Sequence, residues 1–342
     1  MRIAIRADAS INQGTGHVMR CITLARSLQA NGADITLMSS IEGIPWLTNY
    51  VQASGIKMDD ARHGSLDSTW PKWPSFDLVI VDSYEIDARE ISILNERVPV
   101  LALIDGDNRG ISASMYLDQN LGAEMHAKDS TYDNRKILFG AKFALVRSEV
   151  IDAKLSVLRN QNEIDFGKML VFLGGTDPGN GILKIAKLLR NVKFSKITLI
   201  AKSILHDQIQ DILKGRVCEI IEFTNDLPQL IRQADAIVSA GGTSAWDIAT
   251  IGTPAAYVCV AENQRNPIQT IEKLKLGIYL GDLDDIESNE GKFTDNINGL
   301  MSDSILRNTF FSNCRDTFDG LGSERVAEFI TTRVTSITAR PK

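Results

Sequence analysis

The chain has 342 residues, 44% hydrophobic and 23% charged, with a formal net charge of −6 and only four cysteines and four histidines. That length predicts two cores rather than one, and the acidic balance excludes a broad nucleic-acid-binding face. Cys21, Cys218, Cys259 and Cys314 are dispersed without CxxC spacing. His17, His63, His126 and His206 form no metal-ligand pair, so neither a disulfide framework nor a zinc site is expected.

The chain opens on a short apolar strand, Arg2 to Arg6, whose charges at Arg2, Arg6 and Asp8 do not fit a signal peptide. No later apolar run is long enough to span a bilayer, so the expected location is the cytoplasm, without membrane insertion. A glycine-containing loop follows, Asn12 to Gly16, and then a helical period from His17 to Gln29 with Val18, Cys21, Ile22, Leu24, Ala25 and Leu28 on one face. Asn31-Gly32 stops that helix, and Ile35 to Met38 is the next strand. Strands are also predicted at Leu78–Val81 and Val100–Ile104, each running into polar residues at its C-terminal end. Trp70 and Trp73 lie in a loop where packing is the commoner role.

From Lys168 the design repeats: strand Met169–Leu173, loop Gly174 to Asn180, helix Ile182–Leu189, strand Lys196–Ala201. Further strands at Glu219–Glu222, Ala236–Ser239 and Ala256–Val260 complete a second βαβ series. The fold class is therefore α/β, with two doubly wound Rossmann-like domains facing across a cleft. The expected boundaries are 1–150, 151–305, and a helical segment 306–342 that packs back toward the first domain. Ligands of such sheets bind outside the carboxyl ends of the strands, so the polar strand-end loops are the places to search.

The loop Gly14-Thr15-Gly16-His17 allows backbone amides to approach a ligand. A dinucleotide fingerprint would require glycine where Met19 stands and an acidic residue where the next strand ends in Ser39-Ser40, so a nicotinamide cofactor is rejected. His17 falls in the first helical turn, where the dipole predicts a neutral imidazole able to act as a general base. Gly174-Gly175-Thr176 and Gly241-Gly242-Thr243-Ser244 both sit between strand and helix and suit a diphosphate grip. Glu262, after another strand, suits the hydroxyls of a ribose. Asp105-Gly106-Asp107 has the form of a metal-binding DxD, but no further carboxylate cluster completes a shell, so a polar turn is the better reading. Asp82-Ser83-Tyr84 offers hydroxyl contacts to a sugar.

Taken as an ordered set, these motifs resemble the UDP-2,4-diacetamido-2,4,6-trideoxy-β-L-altropyranose hydrolases of pseudaminic acid biosynthesis. The resemblance runs through Arg6-Ala7-Asp8, Gly14 to Ala25 including Arg20, Val81 to Tyr84, Leu117 to Asn120 and Phe143 to Arg147. It continues through Leu173 to Pro178, Ser239 to Trp246, Gly252 to Pro254, Ala261 to Gln264 and Asp319 to Ala327. Departures occur at Asp105-Gly106, where the family often has Asp-Asp, and at Gly140-Ala141, where it often has Gly-Pro. The resemblance implies a two-domain GT-B-like fold, no cofactor, and His17 as the general base. It implies a UDP site at Gly174, Gly175, Thr176, Gly241, Gly242, Thr243, Ser244 and Glu262. Arg6, Asp8, Gly14, Gly16, Arg20, Tyr84, Asn263 and Gln264 are placed on the sugar side. The implied activity is metal-independent hydrolysis of a UDP-linked amino sugar by water attacking the anomeric carbon with inversion, by a monomer whose partners are that substrate and water. A GT-B glycosyltransferase, resembling the lipid-II-forming enzymes, is the alternative, and a non-catalytic nucleotide-sugar binding protein is a third.

Overall fold

The computed structural model describes residues 1–66, 73, 75–106, 109–128, 136–154 and 167–338; Trp70 and Asp107 lie outside the described residues. The chain divides into two units, 1–146 with 320–342, and 147–319. The first therefore ends slightly before the expected residue 150, and the segment that returns to it begins at 320 rather than 306.

In the first unit a seven-stranded parallel sheet is built from β1 (Arg2–Ala7), β2 (Asp34–Ser39), β3 (Lys57–Asp60), β4 (Leu78–Asp82), β5 (Val100–Leu103), β6 (Met115–Asp118) and β7 (Ile137–Phe139). Its spatial order is β3-β2-β1-β4-β5-β6-β7. Its inner strands β4 and β5 are apolar and fully buried because both faces of the sheet are covered, whereas the edge strand β3 is polar and partly exposed. Helix α1 (Gly16–Ala30) buries Val18, Cys21, Ile22, Leu24, Ala25 and Leu28 against β1 and β2. It ends in a Schellman motif, with the Gly32 amide donating to the Gln29 carbonyl and Ala33 to Leu28. On the same core lies α5 (Gly322–Thr338), which contributes Val326, Ala327, Ile330 and Val334. On the other face Trp73 is fully buried beside Leu66, Val79 and Val81, so packing is its role.

The second unit repeats the plan with six parallel strands: β8 (Lys168–Phe172), β9 (Lys196–Ile200), β10 (Cys218–Ile221), β11 (Ala236–Ala240), β12 (Ala255–Cys259) and β13 (Ile278–Asp282). The order is β10-β9-β8-β11-β12-β13. Three of its helices follow strand-end loops: α2 (Gly181–Leu188), α3 (Ser244–Ile251) and α4 (Glu262–Lys273). In each sheet the winding reverses once, between β1 and β4 and between β8 and β11, and there the loops leave in opposite directions and open a crevice. Both reversals carry the residues described next.

Candidate active site

Each unit presents one group of residues at its own switch point. In the first unit β1 leads into the loop that starts α1, and β4, its direct neighbour, ends in Asp82. That adjacency brings together His17 and Asp82, which are 65 residues apart in sequence. His17 Nδ1 lies 3.0 Å from Asp82 Oδ1 and 3.2 Å from the Asp82 carbonyl oxygen. Asp82 also accepts from Arg20, at 2.6 Å from Nε and 2.7 Å from Nη2. Arg20 spans to a second carboxylate, Asp105, at 3.0 Å through both Nη1 and Nη2. The Tyr84 hydroxyl and the Asn120 amide complete the shell of Asp105, Asn120 at 2.6 Å. The Tyr84 ring stands edge-on to His17 with centroids 5.0 Å apart, and the Arg109 guanidinium lies 5.1 Å from the Tyr84 ring centroid. Arg109 is fixed in turn by donating to the Ser83 carbonyl at 2.7 Å.

The charges in this network are strongly coupled. Burial alone would raise the Asp82 carboxyl, but Arg20 and then His17 hold it far below the ordinary carboxylate range. Asp105 is likewise desolvated, yet Arg20 brings it down to about 2. Burial disfavours a charged His17, but the Asp82 carboxylate outweighs burial and raises the ring above its usual 6.5. This corrects the expectation of an imidazole held neutral by the helix start. A carboxylate 3.0 Å away is a stronger influence than the partial charge at a helix end. Behind these groups, burial pushes Asp118 up to about 6, although it accepts from the amides of Gly106 and Asn120 at 2.7 and 3.0 Å. Asp118 thereby pins the loop that presents Asp105.

Arg6 and Asp8, expected on the sugar side, belong instead to the scaffold. Both are fully buried and paired with each other. Arg6 donates to the carbonyls of Arg62 and Ser65, at 2.7 and 3.1 Å, and Asp8 accepts from the amides of Ser40 and Gly64, at 2.8 and 3.0 Å. These bonds tie β1 to the loops after β2 and β3, and both side chains are closed off from solvent in the fold. Gly14 takes φ +86° in the loop, and Gly16 is the first residue of α1.

In the second unit β8 ends at the loop Gly174-Gly175-Thr176 and its neighbour β11 at Gly241-Gly242-Thr243-Ser244, so the two loops flank the reversal in winding. Gly174 takes φ +77° and Asp177 φ +44°, the latter a strained left-handed position for a residue with a side chain. Asp177 Oδ1 accepts from the Ile182 amide at 3.1 Å, which anchors the loop to α2. At Gly241 a Cβ would stand 2.2 Å from Ile268 Cγ1, so only glycine permits the close approach of this turn to α4. Glu262 and Asn263 open α4 and are exposed, and Gln264 Oε1 accepts from the Val260 amide at 3.3 Å. Glu262 pairs with Arg265 at 3.1 Å. Sequence reasoning missed Arg265, Asp105 as a partner of Arg20, and Asp82 as a partner of His17. Strand order was the signal for Asp82: the last residue of β4 must lie beside the end of β1. Arg109 carried no signal.

The architecture is that of the two-domain, GT-B-like α/β class. Residues 169–304 match the model of the glycosyltransferase family 28 C-terminal domain. The chain is 24% identical to the spore coat polysaccharide biosynthesis protein SpsG of Bacillus subtilis over 340 residues, 96% of this chain and 98% of that protein. It is 23% identical to an uncharacterized protein of Methanocaldococcus jannaschii over 316 residues, 86% of this chain but 65% of that protein, so it spans about two thirds of that relative's length. Among solved structures, S. aureus MnaA with UDP is similar at a TM-score of 0.67 and 13% identity, covering 100% of this chain and 99% of that one. Other structures of the same fold include glycosyltransferases. Among the described residues no helix is long and apolar enough to cross a membrane.

Proposed function

We propose that the chain is an enzyme of nucleotide-sugar chemistry that breaks the bond between the anomeric carbon and UDP in a UDP-linked amino sugar. The observation that carries this reading is the hydrogen-bonded line from Arg20 through Asp82 to His17 at the switch point of the first unit. Asp82 accepts a hydrogen bond from Nδ1–H, which fixes the tautomer and leaves the basic Nε2 lone pair for an incoming nucleophile. A carboxylate behind the ring makes it a stronger base at the cost of a smaller neutral fraction, so the rate should rise with pH through a value above 6.5. In the second unit the amides and hydroxyls of the two Gly-Gly-Thr loops stabilise the charge that develops on the departing diphosphate.

In the first form of the reading the nucleophile is water. Its oxygen forms a bond to C1, the C1–O bond to UDP breaks, UDP leaves with the electron pair, and His17 Nε2 takes the proton, with inversion at C1. The sequence resemblance supports this form and implies a 2,4-diacetamido-2,4,6-trideoxy sugar as the group released. In the second form an acceptor hydroxyl replaces water, and one finding favours it: the family 28 glycosyltransferase model covers residues 169–304. The two forms share the base and the nucleotide grip and differ only in what supplies the oxygen.

The test is UDP release from a panel of UDP-linked diacetamido sugars with no acceptor present, run in oxygen-18 water. Hydrolysis predicts stoichiometric UDP with the label in the sugar. Release only on addition of a hydroxyl acceptor establishes the second form, and label in UDP excludes attack at C1. Tight binding without turnover under either condition contradicts both.

A further inference from the structure

Outside the His17 network, the most developed polar cluster in the second unit joins the end of β13 to the start of α4. Arg265 lies one helical turn after Glu262. Its Nε is 3.1 and 3.2 Å from the two Glu262 carboxylate oxygens, and its Nη2 is 3.1 Å from Oε2. Its Nη1 donates to both oxygens of Asp282, the last residue of β13, at 3.0 and 2.8 Å. Asp282 is anchored from its own strand by the Tyr279 hydroxyl, which donates at 2.6 Å. The result is a side-chain chain, Tyr279 to Asp282 to Arg265 to Glu262, running from the sheet outward to a carboxylate whose side chain is 82% exposed.

Such a chain is more than an isolated surface ion pair, which contributes little because two long side chains must be immobilised in water. Here one planar guanidinium bridges two carboxylates in a fixed geometry, and the inner one is tied to the sheet. The start of α4 has a particular need for this tether. Pro267 has no amide proton to return to the Asn263 carbonyl, so the turn carrying Glu262 lacks one backbone bond of a regular helix. Arg265 also neutralises a carboxylate that would otherwise repel an anion bound at the nearby glycine loops. An ionised carboxylate offers about four acceptor positions, and the bifurcated Nε–H and the single Nη2–H leave capacity on Glu262 for a hydroxyl donor.

We infer that Arg265, held by Asp282 and Tyr279, is a positioning residue that fixes Glu262 to accept a ribose hydroxyl of the bound nucleotide and makes the site selective for a ribonucleotide. This rests on the reading of the second unit as a UDP site, with Glu262 as its ribose ligand.

The experiment is calorimetric titration of the full-length protein with UDP, 2′-deoxy-UDP and 3′-deoxy-UDP, comparing wild type with E262Q, R265A, R265K and D282N. Loss of a hydrogen bond to a charged acceptor predicts that wild type binds UDP about tenfold more tightly than at least one deoxy analogue. E262Q should reduce that ratio to near one. R265A and R265K should reduce it similarly while changing the affinity for that deoxy analogue much less, and D282N should fall between. R265K keeps the charge but not the fork, so its agreement with R265A separates orientation from net charge. A merely structural role would weaken all three ligands in proportion and leave the ratio intact. Full discrimination in R265A together with its loss in E262Q overturns the inference. Full discrimination in E262Q shows instead that Glu262 is not the ribose ligand, and absence of UDP binding in wild type contradicts the reading of the unit itself.

Discussion

Replacing Asp82 by Asn tests the electrostatic core of the first unit, because one carboxylate there serves both Arg20 and His17. Asp82 receives Arg20 at 2.6 and 2.7 Å and His17 at 3.0 Å. Removing its charge deletes the main influence that raises His17, and burial and the Arg20 cation, both of which oppose a positive charge on the ring, are then countered only by the weaker pull of Asp105. The ring should therefore titrate lower, and the acid limb of the kcat/KM profile should move to lower pH. The plateau should fall by roughly 100-fold or more, since the amide orients the tautomer poorly and leaves a weaker base. Stability should drop as well. Breaking a buried ion pair costs about 3–5 kcal/mol, and the D82N loss belongs at the lower end because Arg20 keeps both of its 3.0 Å contacts to Asp105. The assay is UDP release measured across the range in which histidine titrates, with a urea melt of the same variant. A profile whose acid limb stays in place or moves upward would refute the reasoning, since no other group in the network is placed to raise His17 as strongly.

Two further variants separate scaffold from site. Asp8→Ala should destabilise the protein by about 3–5 kcal/mol, because it strands a fully buried Arg6, and where the variant remains folded the KM should be nearly unchanged; a large rise in KM with normal melting would return Asp8 to the sugar side. Gly241→Ala forces a methyl to within 2.2 Å of Ile268 Cγ1, which should cost about 1–3 kcal/mol and weaken UDP binding measured by calorimetry, whereas a variant with wild-type melting and wild-type affinity would show that the turn is not tightly constrained.

Much of the fold is legible in the chain because parallel strands buried on both faces must be apolar throughout. The runs at Ile3–Ile5, Leu78–Val81 and Met169–Phe172 are too short to span a bilayer and apolar enough to be buried on both faces of a sheet. The glycine loops were legible for a related reason, since a strand that turns at once into a helix and lets a ligand reach its backbone tolerates few side chains. What remained hidden depended on strand order. Sequence spacing carries no hint that β4 lies against β1, so Asp82 read as one polar turn among several and the charge state of His17 was judged from its helix alone. Arg6 and Asp8 misled for the opposite reason. A charged residue in a motif suggests a ligand, yet β1 lies inside its sheet between β2 and β4, where a buried charge survives only if it is paired. Arg265 escaped notice because its partner Asp282 belongs to a strand 17 residues further on.

The role of His17 is decided by the turnover of His17→Phe on a UDP-linked diacetamido sugar that wild type consumes, with UDP affinity measured on the same preparation. If His17 is the base, turnover falls by about 100- to 10,000-fold while the second unit, whose loops are untouched, binds UDP with wild-type affinity. Near-normal turnover by that variant would contradict the account.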